Sequence, residues 1–255
     1  MGSLSRISSQ VYKNLLLLRI PWRYFDLLVW PVINFISFTF LAKYYGTSEA
    51  AIPAVILGMI GWRFIATTAM DIFHNGMDEY YCHSLPSLMA APVHVFELVA
   101  GAAVTGFIKS IIVFAIFCAL GWWLFGFGIS DWTGSIAAFA LLTYFGVVLG
   151  TFAFGLVLLA RRSALPMAFA LTDVFPIFTG ALYPIGVLPD VLQRIAWLFP
   201  TTYAFEALRA TLGVGSVGPP LAAIAQLAAF TVIAALFLLW AYDHARRKGD
   251  LARLG

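Results

Sequence analysis

The chain has 255 residues, of which 62% are hydrophobic and only 11% are charged, and its formal net charge is +3. A soluble domain carries about 25% charged residues, so this chain has too few to cover a water-facing surface. The composition indicates a membrane protein, and the short polar segments between its apolar stretches exclude a separate catalytic domain. Cys82 and Cys118 lie far apart and suggest neither a metal site nor a disulfide framework.

Residues 1–23 predict an amphipathic helix that lies in the membrane interface. Its apolar residues recur at helical spacing on one stripe: Leu4, Ile7, Val11, Leu15 and Leu18. Arg6, Gln10 and Lys13 fall on the far side of that stripe. A cleaved signal peptide is the alternative, but the charges continue to Arg19 and Arg23 and no small-residue cleavage site follows.

Six segments beyond this helix are long and apolar enough to be membrane spans. Their approximate bounds are 24–43, 51–73, 97–125, 133–160, 165–182 and 221–242. The fifth is short, and the apolar stretch after it is broken by Pro184, Pro189 and Pro200. Backbone interrupted this often cannot face lipid, so we expect it to re-enter the membrane only where protein or water covers it.

The basic residues predict the orientation of these spans. Ten of them share the side of both termini: Arg6, Lys13, Arg19, Arg23, Arg161, Arg162, Arg246, Arg247, Lys248 and Arg253. Only Lys43, Arg194 and Arg209 fall opposite. The positive-inside rule then makes both termini cytoplasmic, with inner loops at 74–96 and 161–164. The outer segments are 44–50, 126–132 and 183–220.

Three ionisable residues lie inside the predicted spans, where burial costs at least about 2.5–3.5 kcal/mol unless they find partners. Arg63 and Lys109 fall near mid-span, and Asp173 lies at comparable depth. A charge cluster that joins spans two, three and five is therefore allowed. It would line a substrate path, or it would be a structural ion pair or a set of snorkelling cations. A proton relay is disfavoured, because one acid that faces two cations stays ionised.

The inner loop 74–96 breaks the positive-inside rule, since it has two acids and neither Lys nor Arg. Asp78 and Glu79 precede an amphipathic turn that contains Tyr80, Leu85 and Leu88. A protein-binding face would explain this reversal, and so would a solvated loop.

Sequence motifs for energy coupling or catalysis are missing. The chain has no glycine-rich phosphate loop that ends in Lys and Ser or Thr, and no paired histidines of a metalloprotease helix. Gly146 and Gly150 form a small-xxx-small pair, which favours close helix packing over a dedicated dimer seam.

The layout resembles the permease subunits of ABC-2 type exporters over nearly the whole chain. In that family an interfacial helix precedes six spans, a coupling helix that ends in Ala-Pro lies between spans two and three, and a re-entrant hairpin lies between spans five and six. The segments that match are Trp30-Pro31, Asp78–Leu88 with Ala91-Pro92, Gly180–Pro184, Leu188-Pro189, Leu198–Tyr203 and Glu206–Arg209. The resemblance implies one all-α polytopic domain over 1–255.

The resemblance also implies partners. The ATP and Mg would be bound by a nucleotide-binding ABC ATPase subunit present in two copies, with no cofactor and no catalytic residue in this chain. A second permease copy, or a paralogue, would complete the pore in a bacterial inner membrane, among membrane lipids and without nucleic acid. The residues expected at the ATPase are Asp78, Glu79, Tyr80, His83 and Leu85.

Substrates in this family range from lipid-linked polysaccharides to drugs and small lipids. An aromatic content of 16% favours a glycan or glycolipid, because ring faces bind the apolar faces of sugars. Candidate path residues besides Arg63, Lys109 and Asp173 are Phe35, Phe38, Phe175, Phe178, Tyr183 and Phe199. The expected outer re-entrant gate contains Pro184, Pro189, Pro200, Thr201, Tyr203 and Glu206.

Two readings from other classes remain open at this point. A stand-alone membrane enzyme would need its acids and histidines to converge, and the candidates are Asp71, His74, Asp78 and His83. An ion-coupled carrier is less favoured, because the chain shows no internal repeat and no matched pair of broken helices.

Overall fold

The computed structural model describes residues 3–17, 20–46, 51–81, 94–160, 163–215 and 218–247, and these contain helices and no strand. The fold is that of an all-α polytopic membrane protein. Its α-helices are α1 (Ser3–Leu17), α2 (Pro21–Tyr24), α3 (Trp30–Tyr45), α4 (Ala51–Tyr81), α5 (Val95–Phe125), α6 (Trp132–Ala160), α7 (Ala164–Thr179), α8 (Asp190–Ala196), α9 (Pro200–Ala210) and α10 (Pro220–Arg247). A π-helical turn, Phe25–Val29, joins α2 to α3, and a 3-10 turn, Ile185–Val187, precedes α8.

Five helices in the described part of the chain are long and apolar enough to cross a membrane. They are Leu27–Tyr45, Ala51–Tyr81, Val95–Phe125, Trp132–Ala160 and Pro220–Arg247. The span predicted at 165–182 corresponds to α7, which has only 16 residues. At 1.5 Å per residue such a helix is about 24 Å long, shorter than the roughly 30 Å hydrocarbon core. The six predicted spans are therefore five long helices and one short one.

Helix α4 extends further than the sequence indicated. The prediction ended span two at 73 and started the inner loop at 74, but α4 remains helical to Tyr81. The prediction relied on loss of hydrophobicity, whereas Asp78 and Glu79 continue the helix as ion-paired residues. Of the predicted loop, residues 82–93 lie outside the described residues, and 95–96 already belong to α5.

Helix α4 is the central element, and it packs against α3, α5, α6 and the hairpin helix α9. The approach of α6 depends on the small-xxx-small pair. A Cβ atom at Gly146 would lie 2.8 Å from the carbonyl oxygen of Ile65, and one at Gly150 would lie 2.9 Å from the Cβ of Ile72. The two glycines thus serve helix packing within the chain, as the sequence favoured.

Helix α1 turns its polar side towards the bundle. Asn14 is the residue of this helix that is buried, while Leu4 is 83% exposed. Gln10 lies against Gly101 of α5, where an added Cβ atom would come within 2.8 Å of the Cβ of Gln10. The helix was expected to lie in the interface with its polar side away from the apolar stripe. Its polar side instead finds partners on α4 and α5, because buried polar groups need them.

Proline and glycine residues set the ends of the elements after α7. Gly180 ends α7 in the left-handed conformation at φ 66°, which an L side chain disfavours. Pro184 and Pro189 stand immediately before the 3-10 turn and α8, and Pro200 opens α9. Because proline has a fixed φ and no N–H, it suits these first-turn positions. The prolines that broke the sixth span in the sequence therefore organise a helical hairpin.

Candidate functional site

A cavity of about 170 Å³ opens between the N-terminal part of α3, the middle of α4, α5 and α7. Its charged lining residues are Arg23, Arg63, Asp71, Lys109 and Asp173, with His74 beside them. Its aromatic lining residues are Trp30, Trp62 and Phe169. The three intramembrane charges that the sequence singled out thus line one cavity, although they come from three helices.

Lys109 finds its counter-ion on α4. Its ammonium group forms an ion pair with Asp71, and the side chain of each residue is only 8% exposed. Thr105, one turn earlier on α5, donates a hydrogen bond of 2.6 Å from Oγ1 to the other carboxylate oxygen of Asp71. Asn14 of α1 lies 3.5 Å from the same hydroxyl group. A buried charge pair needs such additional hydrogen bonds to offset its desolvation.

Asp173 differs from the other acid in this cavity. It lies on an exposed face of α7, and no described residue donates a hydrogen bond to it or forms an ion pair with it. A carboxylate in an apolar helix is costly unless water or a cation reaches it. The cavity side of Asp173 is therefore the place where a polar group from outside the chain is most favoured.

The acids expected at an ATPase contact are engaged within the chain. Arg23 donates a hydrogen bond of 2.5 Å to Asp78, and Lys13 forms an ion pair with Glu79. Tyr80 is partly buried against a cluster of apolar residues on α5, α6 and α10. His83 and Leu85 lie outside the described residues. Intramolecular pairing was not considered from the sequence, and it accounts for the local reversal of charge.

A third ion pair joins α1 to the start of α5. Arg6 Nη1 lies 3.3 Å from Glu97 Oε2, and the same carboxylate accepts a hydrogen bond of 3.1 Å from the backbone N–H of His94. Glu97 thereby closes the N-terminal turn of α5 as a capping box. Because α4 ends and α5 begins at these pairs, α1 and the connection 82–93 lie at the same end of the bundle.

The aromatic residues proposed for the path fall into separate groups. Phe35 is fully buried in the core, with its ring centroid 4.3 Å from that of Phe117. Phe175 packs edge to face on Phe199 at 5.1 Å, between α7 and the hairpin. Phe38 is 39% exposed on α3. None of these three lines the cavity, and neither do Phe178 and Tyr183.

The hairpin residues proposed as a gate are joined by a buried ion pair. Arg209 is 3% exposed and contacts Glu206 at 3.0 Å and the carbonyl oxygen of Gly180 at 2.5 Å, so it ties α9 to the end of α7. Thr201 is fully buried, and the ring of Tyr203 packs 4.9 Å from that of Trp197. Burial raises the pKa of Tyr183, which follows Gly180.

The enzyme reading needed acids and histidines to converge. Among the described residues, no group of three or more His, Cys, Asp or Glu side chains could hold a metal ion. Asp71 is paired with Lys109 and Asp78 with Arg23, so both acids already have cationic partners.

The family model of the ABC-2 type transporters matches residues 8–212, from the first turns of α1 to just beyond α9. The chain belongs to the ABC-2 type transporter family. It is therefore a membrane component of a transporter and not itself catalytic. No curated protein matches the chain.

The family match covers every residue of the cavity and of the hairpin. The sequence reasoning missed the role of Asp71, which it considered only for an enzyme. Its signal was available, because Lys109 in mid-span needed an acid on a neighbouring span and Asp71 lies near the end of the predicted second one. Trp30, Trp62 and Arg23 gave no such signal, since aromatic and basic residues are common at membrane interfaces.

Proposed function

We propose that this chain is the permease subunit of an ATP-driven exporter. Two copies of a soluble nucleotide-binding subunit bind ATP and Mg, and a second copy of this chain, or a paralogue, completes the pore. Membership of the ABC-2 type transporter family carries this proposal. The sequence supports it, because it offers no glycine-rich phosphate loop of its own.

The proposed cargo is an amphipathic or lipid-linked molecule, with a glycan or glycolipid as the first candidate and drugs or small lipids as the alternative. The exporter moves it to the outer leaflet. A polar cavity with aromatic walls inside the apolar bundle supports a cargo whose head group crosses while its tail stays in hydrocarbon.

The proposed location is the bacterial cytoplasmic membrane, with both termini in the cytoplasm. The excess of basic residues near the termini supports this orientation. The ion pairs of α1 with α4 and α5 also support it, since they hold the N-terminal helix at the end of the bundle where the connection 82–93 lies.

Coupling is proposed to act at the segment from Asp78 to Leu88, which includes Tyr80, His83 and Leu85. When the ATPase moves this segment, α4 moves with it because the segment continues that helix. The ion pairs Lys13–Glu79 and Arg23–Asp78 would carry the same motion to the N-terminal helices. Movement of α4 changes the cavity directly, since this helix supplies Arg63 and Asp71 to its wall.

A charge swap tests whether Glu79 acts through the ATPase or only through α1. Glu79→Lys breaks the internal pair, and adding Lys13→Glu restores it with reversed polarity. We expect both variants to assemble, and the double variant to regain the thermal stability of the unmodified chain. Transport and coupled ATP hydrolysis should stay impaired in the double variant, because its outer charge is wrong for the ATPase. Full recovery of transport by the double variant would show that Glu79 is a brace within the chain and not a coupling contact.

A further inference from the structure

The cavity contains a charge arrangement that two internal ion pairs do not exhaust. Lys109 is paired with Asp71, and Arg23 is paired with Asp78. The remaining charged residues of the lining are the cation Arg63 on α4 and the acid Asp173 on α7. The cavity therefore offers one positive and one negative group from different helices to whatever occupies it.

A ligand with a single charge satisfies only half of this arrangement. An anion that binds Arg63 leaves the Asp173 carboxylate in an apolar helix without a cation. A cation that binds Asp173 comes close to the like charge of Arg63 and to no compensating anion. A head group that carries both charges removes both costs. Guanidinium binds phosphate in a bidentate manner, and an ammonium group suits a carboxylate flanked by aromatic rings.

The size and the walls of the cavity narrow the ligand further. Drug-sized ligands occupy pockets of about 300–1,000 Å³, and a cavity of about 150 Å³ holds a single benzene. The 170 Å³ available here thus fits a small head group and not a whole drug or an oligosaccharide. Trp30 is 57% exposed and Phe169 41% exposed at the rim, so an attached chain can leave along apolar surface into the bilayer.

We propose that this cavity binds the zwitterionic head group of an amphiphile, with its phosphate on Arg63 and its ammonium on Asp173. Trp62 and Trp30 contact the carbon atoms between the two charges. Calling this amphiphile the cargo rests on the exporter function proposed above, whereas the binding itself does not. Two sources share the chemistry: an ethanolamine phospholipid of the bilayer, and a lipid-linked amino sugar phosphate.

Binding is measured on the full-length purified chain in mild detergent, without any ATPase, by native mass spectrometry. The probes have matched acyl chains: a phosphatidylethanolamine, a phosphatidylglycerol that has only the anion, and an alkylamine that has only the cation. A lipid-linked glucosamine phosphate is the fourth probe. We expect at least one of the two zwitterions to bind about tenfold tighter than both singly charged probes. Equal binding of zwitterionic and singly charged probes would overturn the proposal.

Substitutions test which residue reads which charge. Asp173→Asn should remove the preference for a zwitterion over phosphatidylglycerol, and Asp173→Glu should keep it. Arg63→Gln should remove the preference over the alkylamine. The matched controls are Asp243→Asn and Arg247→Gln on α10, which lie outside the cavity and should change neither ratio. If Asp173→Asn keeps the preference over phosphatidylglycerol, the assignment of the ammonium to Asp173 is wrong.

The two zwitterions distinguish the source of the ligand and keep this inference separate from the transport function. Tighter binding of the glucosamine probe identifies a glycolipid cargo, and tighter binding of phosphatidylethanolamine identifies a bilayer phospholipid. Either result supports the head-group site. A chain that binds a zwitterion selectively but neither associates with an ATPase nor transports would retain this inference and lose the exporter proposal.

Discussion

Lys109 of α5 and Asp71 of α4 form an ion pair in the interior of the bundle, with each side chain only 8% exposed. Thr105 holds the second oxygen of the carboxylate, so the pair fixes the relative position of the two helices that flank the cavity. The exposed charges of this cavity are usable only because the buried ones are compensated in this way.

Removing one member of this pair should be far more harmful than removing both. Lys109→Met leaves the buried Asp71 without its cation and should cost about 3–5 kcal/mol of stability. Asp71→Asn combined with Lys109→Met should recover most of that loss, because no uncompensated charge remains. Thermal unfolding in detergent of the two single variants and the double variant measures the coupling. Losses that simply add would contradict an energetic link between the two residues.

The contact between α4 and α6 should depend on the absence of a side chain at Gly146. Gly146→Ala places a Cβ atom 2.8 Å from the carbonyl oxygen of Ile65, so the backbones must separate. Overpacking of this kind costs about 1–3 kcal/mol. Gly128→Ala is the matched control, because no atom lies within 4 Å of its Cβ position, and surface changes of this kind stay within about 0.5 kcal/mol. Equal melting temperatures for the two variants would refute the packing role.

The hairpin should require the planar guanidinium group of Arg209 and not merely its charge. Arg209→Lys keeps the positive charge but cannot bond Glu206 and the carbonyl oxygen of Gly180 with one rigid fork. We expect a loss of about 1–3 kcal/mol from the unsatisfied buried groups. The same change at the exposed Arg194 of α8 is the control and should be nearly neutral. A neutral Arg209→Lys would mean that the charge alone holds the hairpin.

Acid should selectively weaken the start of α6. Asp131 accepts hydrogen bonds from the N–H groups of Thr133 and Gly134 at 3.0 and 3.2 Å and from the Thr133 hydroxyl group at 2.6 Å. The Thr133 hydroxyl group, followed by the backbone donors, lowers the pKa of this carboxyl group. A lowered pKa in the folded state gives stability that is present above the ordinary value near about 3.9 and is lost as the pH falls through the folded-state value.

Comparison of Asp131→Ala with the unmodified chain should reveal this dependence. The variant should melt at a lower temperature near neutral pH, and the difference should shrink once the native carboxyl group is protonated. Asp131→Asn retains an acceptor and should lose less at neutral pH. A difference in melting temperature that is constant from neutral to acid pH would rule out the carboxylate as its source.

Much of the fold could be predicted from hydrophobic length. Spans three and four were predicted within two residues of α5 and α6, because apolar runs without charges end where polar residues begin. The end of α4 could not be found in this way, since Asp78 and Glu79 read as loop residues until Arg23 and Lys13 are seen beside them. The short α7 could not be distinguished from a full span, because the apolar residues continue past Gly180 into the hairpin.

The candidate site could be predicted only in part. An intramembrane charge is visible in a sequence, and so Arg63, Lys109 and Asp173 could be singled out before they were seen to line one cavity. Their partners depend on which helices pack together, and only the structure places Asp71 on Lys109. Pore-facing and lipid-facing aromatic residues look alike in segments that are apolar all round, which is why Phe35 proved to be a core residue.

The central claim is that this chain works as the permease of an ABC exporter, and co-purification tests it most directly. The tagged chain is crosslinked in its native membrane, extracted in mild detergent, and analysed by mass spectrometry and by an ATP hydrolysis assay. We predict a soluble nucleotide-binding subunit at equal stoichiometry, with hydrolysis that vanadate inhibits. A chain that elutes without any ATPase after crosslinking, and whose eluate hydrolyses no ATP, would contradict the account.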